Sequence, residues 1–134
     1  GLPEDVRGLL DEPTDAVAAL SDAAGPVVLP ARASSFEGVV YARLATSLLD
    51  LAAPRPSTPA AVVLDHASAW RAAKMRGLML RGPSSVFVPA TLTSGRTSLE
   101  AAVPDLGGSD AVVRVRPRTA VWWSGWASGT VDTR

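Results

Sequence analysis

Residues 15–47 read DAVAALSDAAGPVVLPARASSFEGVVYARLATS, and the spacing of their turn residues decides the fold. Three short segments, Asp15 to Ser21, Pro26 to Ala33 and Val39 to Leu44, read as strands, although the alanines of the first are poor strand formers. Asp22-Ala23-Ala24-Gly25 and Ser34-Ser35-Phe36-Glu37-Gly38 supply the turns between them. Three strands joined by two short turns make an antiparallel meander. Pro30 cannot donate a ladder hydrogen bond, so an edge, a bulge or a ligand-facing position is expected there.

The flanking sequence continues the pattern. Pro3 to Leu10 reads as a short opening helix, with proline in the first turn, acids after it, and Val6, Leu9 and Leu10 on one face. After the meander, Thr46 to Ala52 has leucines for one or two helical turns, capped by Thr46 or Ser47. The prolines from Pro54 to Pro59 mark a loop. Ala60 to His66 is a fourth strand, 67–74 is ambiguous, and Arg76 to Val88 is a long strand with a turn or bulge near Gly82-Pro83. Thr97-Ser98-Leu99-Glu100 has capping-box spacing for a short helix through Val103. Asp110 to Arg116 alternates valine with arginine, and Thr119 to Trp123 closes the series as the last strand. The expectation is a mostly β single domain over residues 1–134, a six- to seven-stranded antiparallel barrel with a few short helices.

Composition narrows the function classes. The 134 residues are 47% hydrophobic with a formal net charge of +0, which argues against disorder and against bulk attraction to nucleic acid or an anionic membrane. No apolar run approaches the ~20 residues of a membrane-spanning helix, and no signal-peptide pattern is visible, so a cytoplasmic location is expected. The neutral total conceals an asymmetry: residues 1–65 hold four Arg/Lys against nine Asp/Glu, and residues 66–134 hold nine against four. Cysteine is absent and His66 is the one histidine, which leaves no usual zinc ligand set and no thiol nucleophile. There is no G-x-S-x-G elbow, no G-x-G-x-x-G and no Walker loop. No catalytic residue and no metal site are assigned. A bound cofactor would account for such a thin side-chain repertoire.

Two features point to a ligand. Trp122-Trp123-Ser124-Gly125-Trp126 places three of the four tryptophans within five residues, with Arg114, Arg116 and Arg118 upstream. Such a trio either plugs a barrel end or a dimer seam, or offers its faces to a flat anionic ligand. The second feature is the basic cluster Arg71, Lys74, Arg76 and Arg81, which suits a phosphomonoester or forms a solvated face. Thr46-Ser47, at a helix start, offers hydroxyls and free backbone N–H groups for an anion.

The order of these pieces, from about residue 15 to 130, resembles the pyridoxamine 5′-phosphate oxidase-like FMN-binding split-barrel family. Its carriers are the opening meander, Trp70 followed by Arg76-Gly77-Leu78-Met79-Leu80-Arg81-Gly82, and Val121-Trp122-Trp123-Ser124-Gly125, which is similar to the oxidases' closing Phe-Trp-Gln-Gly segment. The resemblance implies a split β-barrel, a homodimer, and FMN at the dimer seam, with the deazaflavin F420 as the alternative. It implies a flavin-dependent oxidoreductase acting on a small-molecule substrate, or a non-enzymatic flavin, F420 or haem binder on the same barrel. By position it makes Arg76 a phosphate or ring-edge ligand, Thr46 and Ser47 phosphate-binding hydroxyls, Trp123 a flavin contact, and Arg32 a further candidate beside Arg71 and Lys74. Three departures argue against true pyridoxamine phosphate oxidation. Leu48-Leu49 stand where the family has basic residues, Gly77 replaces its glutamine, and Trp126, Gly129 and Val131 replace residues of its substrate-recognition stretch.

Overall fold

The computed structural model describes residues 1–22, 25–49, 59–67, 75–92 and 94–133. Helix α1 (Glu4–Arg7) runs into a 3-10 turn (Gly8–Leu10). The strands β1 (Thr14–Asp22), β2 (Gly25–Phe36) and β3 (Val39–Ala45) follow as the expected meander, each antiparallel to the next. Then come α2 (Thr46–Leu49), β4 (Pro59–Ala67), β5 (Met75–Phe87), a 3-10 turn (Pro89–Thr91), α3 (Arg96–Ala102), β6 (Asp110–Val115), β7 (Thr119–Ser124) and β8 (Ala127–Asp132).

Six strands close a barrel in the order β1-β2-β3-β6-β5-β4, and β7 and β8 extend from it. The split lies in β5. Its residues 84–87 pair with β6, while residues 76–81 pair with β7 along the same edge. Between them the backbone N–H of Arg116 donates to the Pro83 carbonyl at 3.1 Å, and that of Arg118 donates to the Arg81 carbonyl at 2.8 Å. A β-carbon at Gly82 would lie 1.9 Å from the Arg116 carbonyl oxygen, so the crossing chain can approach only a glycine. The turn or bulge expected near Gly82-Pro83 is therefore a change of neighbours within one continuous strand.

Alternation along each strand sends Ala18, Leu29, Val40, Leu64, Leu80 and Val113 inward, where all are buried. Val6 and Leu10 join this core, so α1 and its 3-10 turn plug one barrel end. The β2–β3 strands run further than the sequence implied, to a two-residue turn at Glu37 (φ 51°) and Gly38 (φ 78°), the positive-φ pair of a tight hairpin. Pro30 pairs with Val17 of β1 and lies outside the β2–β3 pairing, in keeping with an edge position.

Three details differ from the sequence reading. Strand β8 was not foreseen. It follows Gly125 (φ 60°), whose conformation starts a hairpin turn with Trp126. Helix α3 begins at Arg96 after Gly95 (φ 78°), without a side-chain cap. Glu100 is engaged by Arg96 at 3.0 Å, one turn earlier, and does not close a box on Thr97. Residues 54–58 of the proline loop, the ambiguous segment from 68 to 74, and Trp70 with it lie outside the described residues.

Candidate functional site

The aromatic trio separates into three environments. Successive strand residues point to opposite faces. Trp122 turns inward, where it packs against the core and covers Gly129 of β8. Trp123 turns outward and covers Gly77 of β5, and its indole N–H donates to an Asp65 carboxylate oxygen at 3.2 Å. Trp126, at the hairpin tip, is 86% exposed.

Arg76 is the cross-strand partner of Ser124, on the barrel-interior side of β5. There it meets the plug: its guanidinium donates to the Asp5 carbonyl at 3.3 Å, and the Ser124 hydroxyl donates to the Asp5 carboxylate. Arg76 and Trp123 are thus neighbours along the β5–β7 ladder but occupy opposite faces of it.

Arg32 shares the outward face with Trp123. It bridges to Asp15 at 3.2 Å and donates to the Pro13 carbonyl at 3.1 Å. Directly across from it on β3 stands Arg43, which donates to the Asp105 carbonyl and lies 4.0 Å from the Asp110 carboxylate. Two adjacent guanidinium groups beside Ser34 suit a dianionic group such as a phosphomonoester. Thr46 begins α2, and both its hydroxyl and its backbone N–H donate to the Ser109 carbonyl at 2.8 Å. Ser47 is exposed beside it, and Leu48 and Leu49 pack against the core. Arg71 and Lys74 lie outside the described residues.

Beside the cross-strand line that joins Arg32 to Trp123, which itself carries Asp15, Asp65 and Gly77, runs an apolar row. Pro30, Val17, Val63, Met79 and Val121 are successive cross-strand partners on β2, β1, β4, β5 and β7, all on the outer face. Val17 is 36% exposed and Val28, one row away, 64%. Arg32 and Trp123 are four strand spacings apart, about 19 Å along the sheet.

Sequence reasoning missed Arg43 and Asp65. Both were readable in principle. The tight turn at Glu37-Gly38 fixes a register that puts Arg43 opposite Arg32, and strand alternation in AAVVLDH puts Asp65 on the outward face.

No protein-family model matches the sequence, and neither does any curated protein. Solved structures do match in shape. The FAD binding protein from Mycobacterium smegmatis superposes with a TM-score of 0.62 at 14% identity, over 97% of this chain and 98% of that one. A heme binding protein from the same organism gives 0.64 at 12% identity over 89% of this chain, which spans only 53% of that protein. A Clostridium acetobutylicum protein related to general stress protein 26, of the pyridoxinephosphate oxidase family, gives 0.54 at 9% identity, over 89% of this chain and 85% of that one. At these identities the likeness is one of architecture. With its six-strand barrel, its divided β5 edge and these neighbours, the chain has the pyridoxamine 5′-phosphate oxidase-like split-barrel fold.

Proposed function

We propose that this chain is a cytoplasmic, homodimeric flavoprotein, an FMN-dependent oxidoreductase acting on a small molecule other than pyridoxamine phosphate. One observation carries the reading. Paired arginines and an outward tryptophan stand on one sheet face, alongside a partly exposed apolar row. Exposed apolar rows of this kind are covered in stable assemblies. Two copies stacked through this row would bring the indole of one toward the Arg32–Arg43 pair of the other. The arginines would then hold the flavin phosphate and the indole would contact its ring, with Arg76 placed to act from the plugged barrel end. The donor set fits a phosphate-bearing flavin: two guanidinium groups, a nearby serine and an aromatic face. Bound flavin would supply hydride or electron transfer, and the chain's residues would position it and exclude water.

The test is a spectrum and a titration. Purified protein should be yellow or should quench FMN fluorescence at micromolar concentration, and should have the mass of a dimer. An F420 titration distinguishes the deazaflavin alternative. A colourless monomer that binds neither would overturn the proposal.

A second reading is a non-enzymatic carrier or sensor of flavin, F420 or haem. It is favoured by Leu48 and Leu49, which pack into the core directly after Thr46-Ser47 and leave no basic side chain at those two positions. Bound ligand that never turns over with NAD(P)H, reduced F420 or oxygen would select this reading.

A further inference from the structure

The outer surface of β3, β6 and β5 holds a second concavity, roofed by α3 and the turn before it. It encloses about 180 Å³ and is lined by Tyr41, Phe87, Leu92, Ser98, Leu99 and Arg114, with Ser94 and Gly95 at its rim. We propose that this cavity binds a small one-ring carboxylate, with Arg114 as the anion-recognising residue.

Arg114 lies between Tyr41 of β3 and Ser85 of β5, one row from Val112, which is buried in a cluster with Leu99, Ala102 and Val103 of the α3 region. The valine–arginine alternation of β6 therefore puts a cation on an otherwise apolar outer patch. Its guanidinium carbon sits 4.8 Å from the centroid of the Phe87 ring. Cation–π attraction holds the charge against the ring, and a guanidinium has five N–H donors, more than a ring contact can occupy. Among the described residues Arg114 makes no ion pair, and no aspartate or glutamate lines the cavity. Its neighbour Arg43, by contrast, has Asp110 and the Asp105 carbonyl.

Size and lining set the ligand class. An apolar protein cavity of about 150 Å³ accommodates benzene, so 180 Å³ holds one ring and a short substituent. Tyr41, Phe87, Leu92 and Leu99 would contact the ring, and the Arg114 fork would take both carboxylate oxygens. Serine hydroxyls at the mouth would accommodate a further polar group. The packed cluster of Leu99, Ala102, Val103 and Val112 lies between this cavity and the Arg32–Arg43 pair, so the inference stands independently of the flavin reading.

The test uses benzoate and its neutral counterpart benzyl alcohol, followed by calorimetry and by NMR shifts of Tyr41, Phe87 and Leu99. Benzoate should bind at or below about 1 mM and more tightly than the alcohol. Arg114→Met should weaken benzoate about tenfold or more, as loss of a charge-assisted bidentate contact implies, and leave the alcohol nearly unchanged. Ser98→Trp, at an exposed helix position over the mouth, should block benzoate without removing the charge. FMN titrations of both variants should match the parent. Absence of benzoate shifts at these residues, equal benzoate affinity in Arg114→Met, or joint loss of FMN and benzoate would each overturn the proposal.

Discussion

The indole of Trp123 occupies the space in which any side chain on Gly77 would have to begin. A β-carbon there would lie 2.0 Å from the ring, while the indole N–H is committed to Asp65 at 3.2 Å. The glutamine of the resembled family has no room at this position. Gly77→Ala must swing the indole aside, breaking its hydrogen bond and uncovering the strand. We expect a loss of about 1–3 kcal/mol, typical of overpacking. In a Trp123→Ala background the same substitution should cost little. A double-mutant cycle by urea denaturation measures this coupling. Additive losses would show that ring and glycine do not compete for the same space.

Gly82→Ala is expected to be worse than Gly77→Ala, because the clash is with main chain. The Arg116 carbonyl oxygen would sit 1.9 Å from the new β-carbon, and no rotamer change relieves that. The β6–β7 crossing would have to retreat from β5, stretching the bonds from Arg116 to Pro83 and from Arg118 to Arg81. The unfolding midpoint should fall further than for Gly77→Ala, and removing a tryptophan should not rescue it. Equal midpoints for the two variants would refute this account of the split.

These two glycines mark the limit of what the sequence discloses. The meander was legible because its signals are local: turn residues at fixed spacing and short apolar runs between them. The strand count fell short because β8, ASGTVD, has little β propensity and is held by the Gly125 turn and by pairing with β7. Gly82 signalled an irregularity but not its nature, since the chain that approaches it is more than thirty residues away. The candidate site was legible by residue type and not by face. Alternation separates Arg76 from Trp123, and pairing with Asp15 and Pro13 determines how Arg32 is presented. Neither follows from listing basic residues along the chain.

The apolar outer row makes a prediction about assembly. Val63 and Met79 are direct cross-strand partners on the outer face, so Val63→Asp or Met79→Asp places a charge in the proposed seam without entering the barrel core. Light scattering should show half the parent mass, with a far-UV spectrum that remains β-rich. A dimer that survives both substitutions would remove this face from the interface.

The Arg32–Asp15 pair gives the sharpest test of the phosphate site. Both side chains are largely exposed, at 50% and 91%, so the bridge itself should contribute no more than about 1 kcal/mol to stability. Asp15→Asn removes a negative charge next to the proposed phosphate position and frees the Arg32 fork. FMN should then bind several-fold more tightly, riboflavin should bind as before, and the gain should shrink as salt is raised. Arg32→Ala should do the reverse, weakening FMN and sparing riboflavin. Arg76→Ala is the comparison, because that guanidinium lies on the opposite face of β5, against the Asp5 carbonyl. If Arg76→Ala alone separates FMN from riboflavin while Arg32→Ala and Asp15→Asn change nothing, the phosphate belongs at the plugged barrel end. Fluorescence titration of the three variants with both ligands therefore assigns the anion to one face of the sheet or the other.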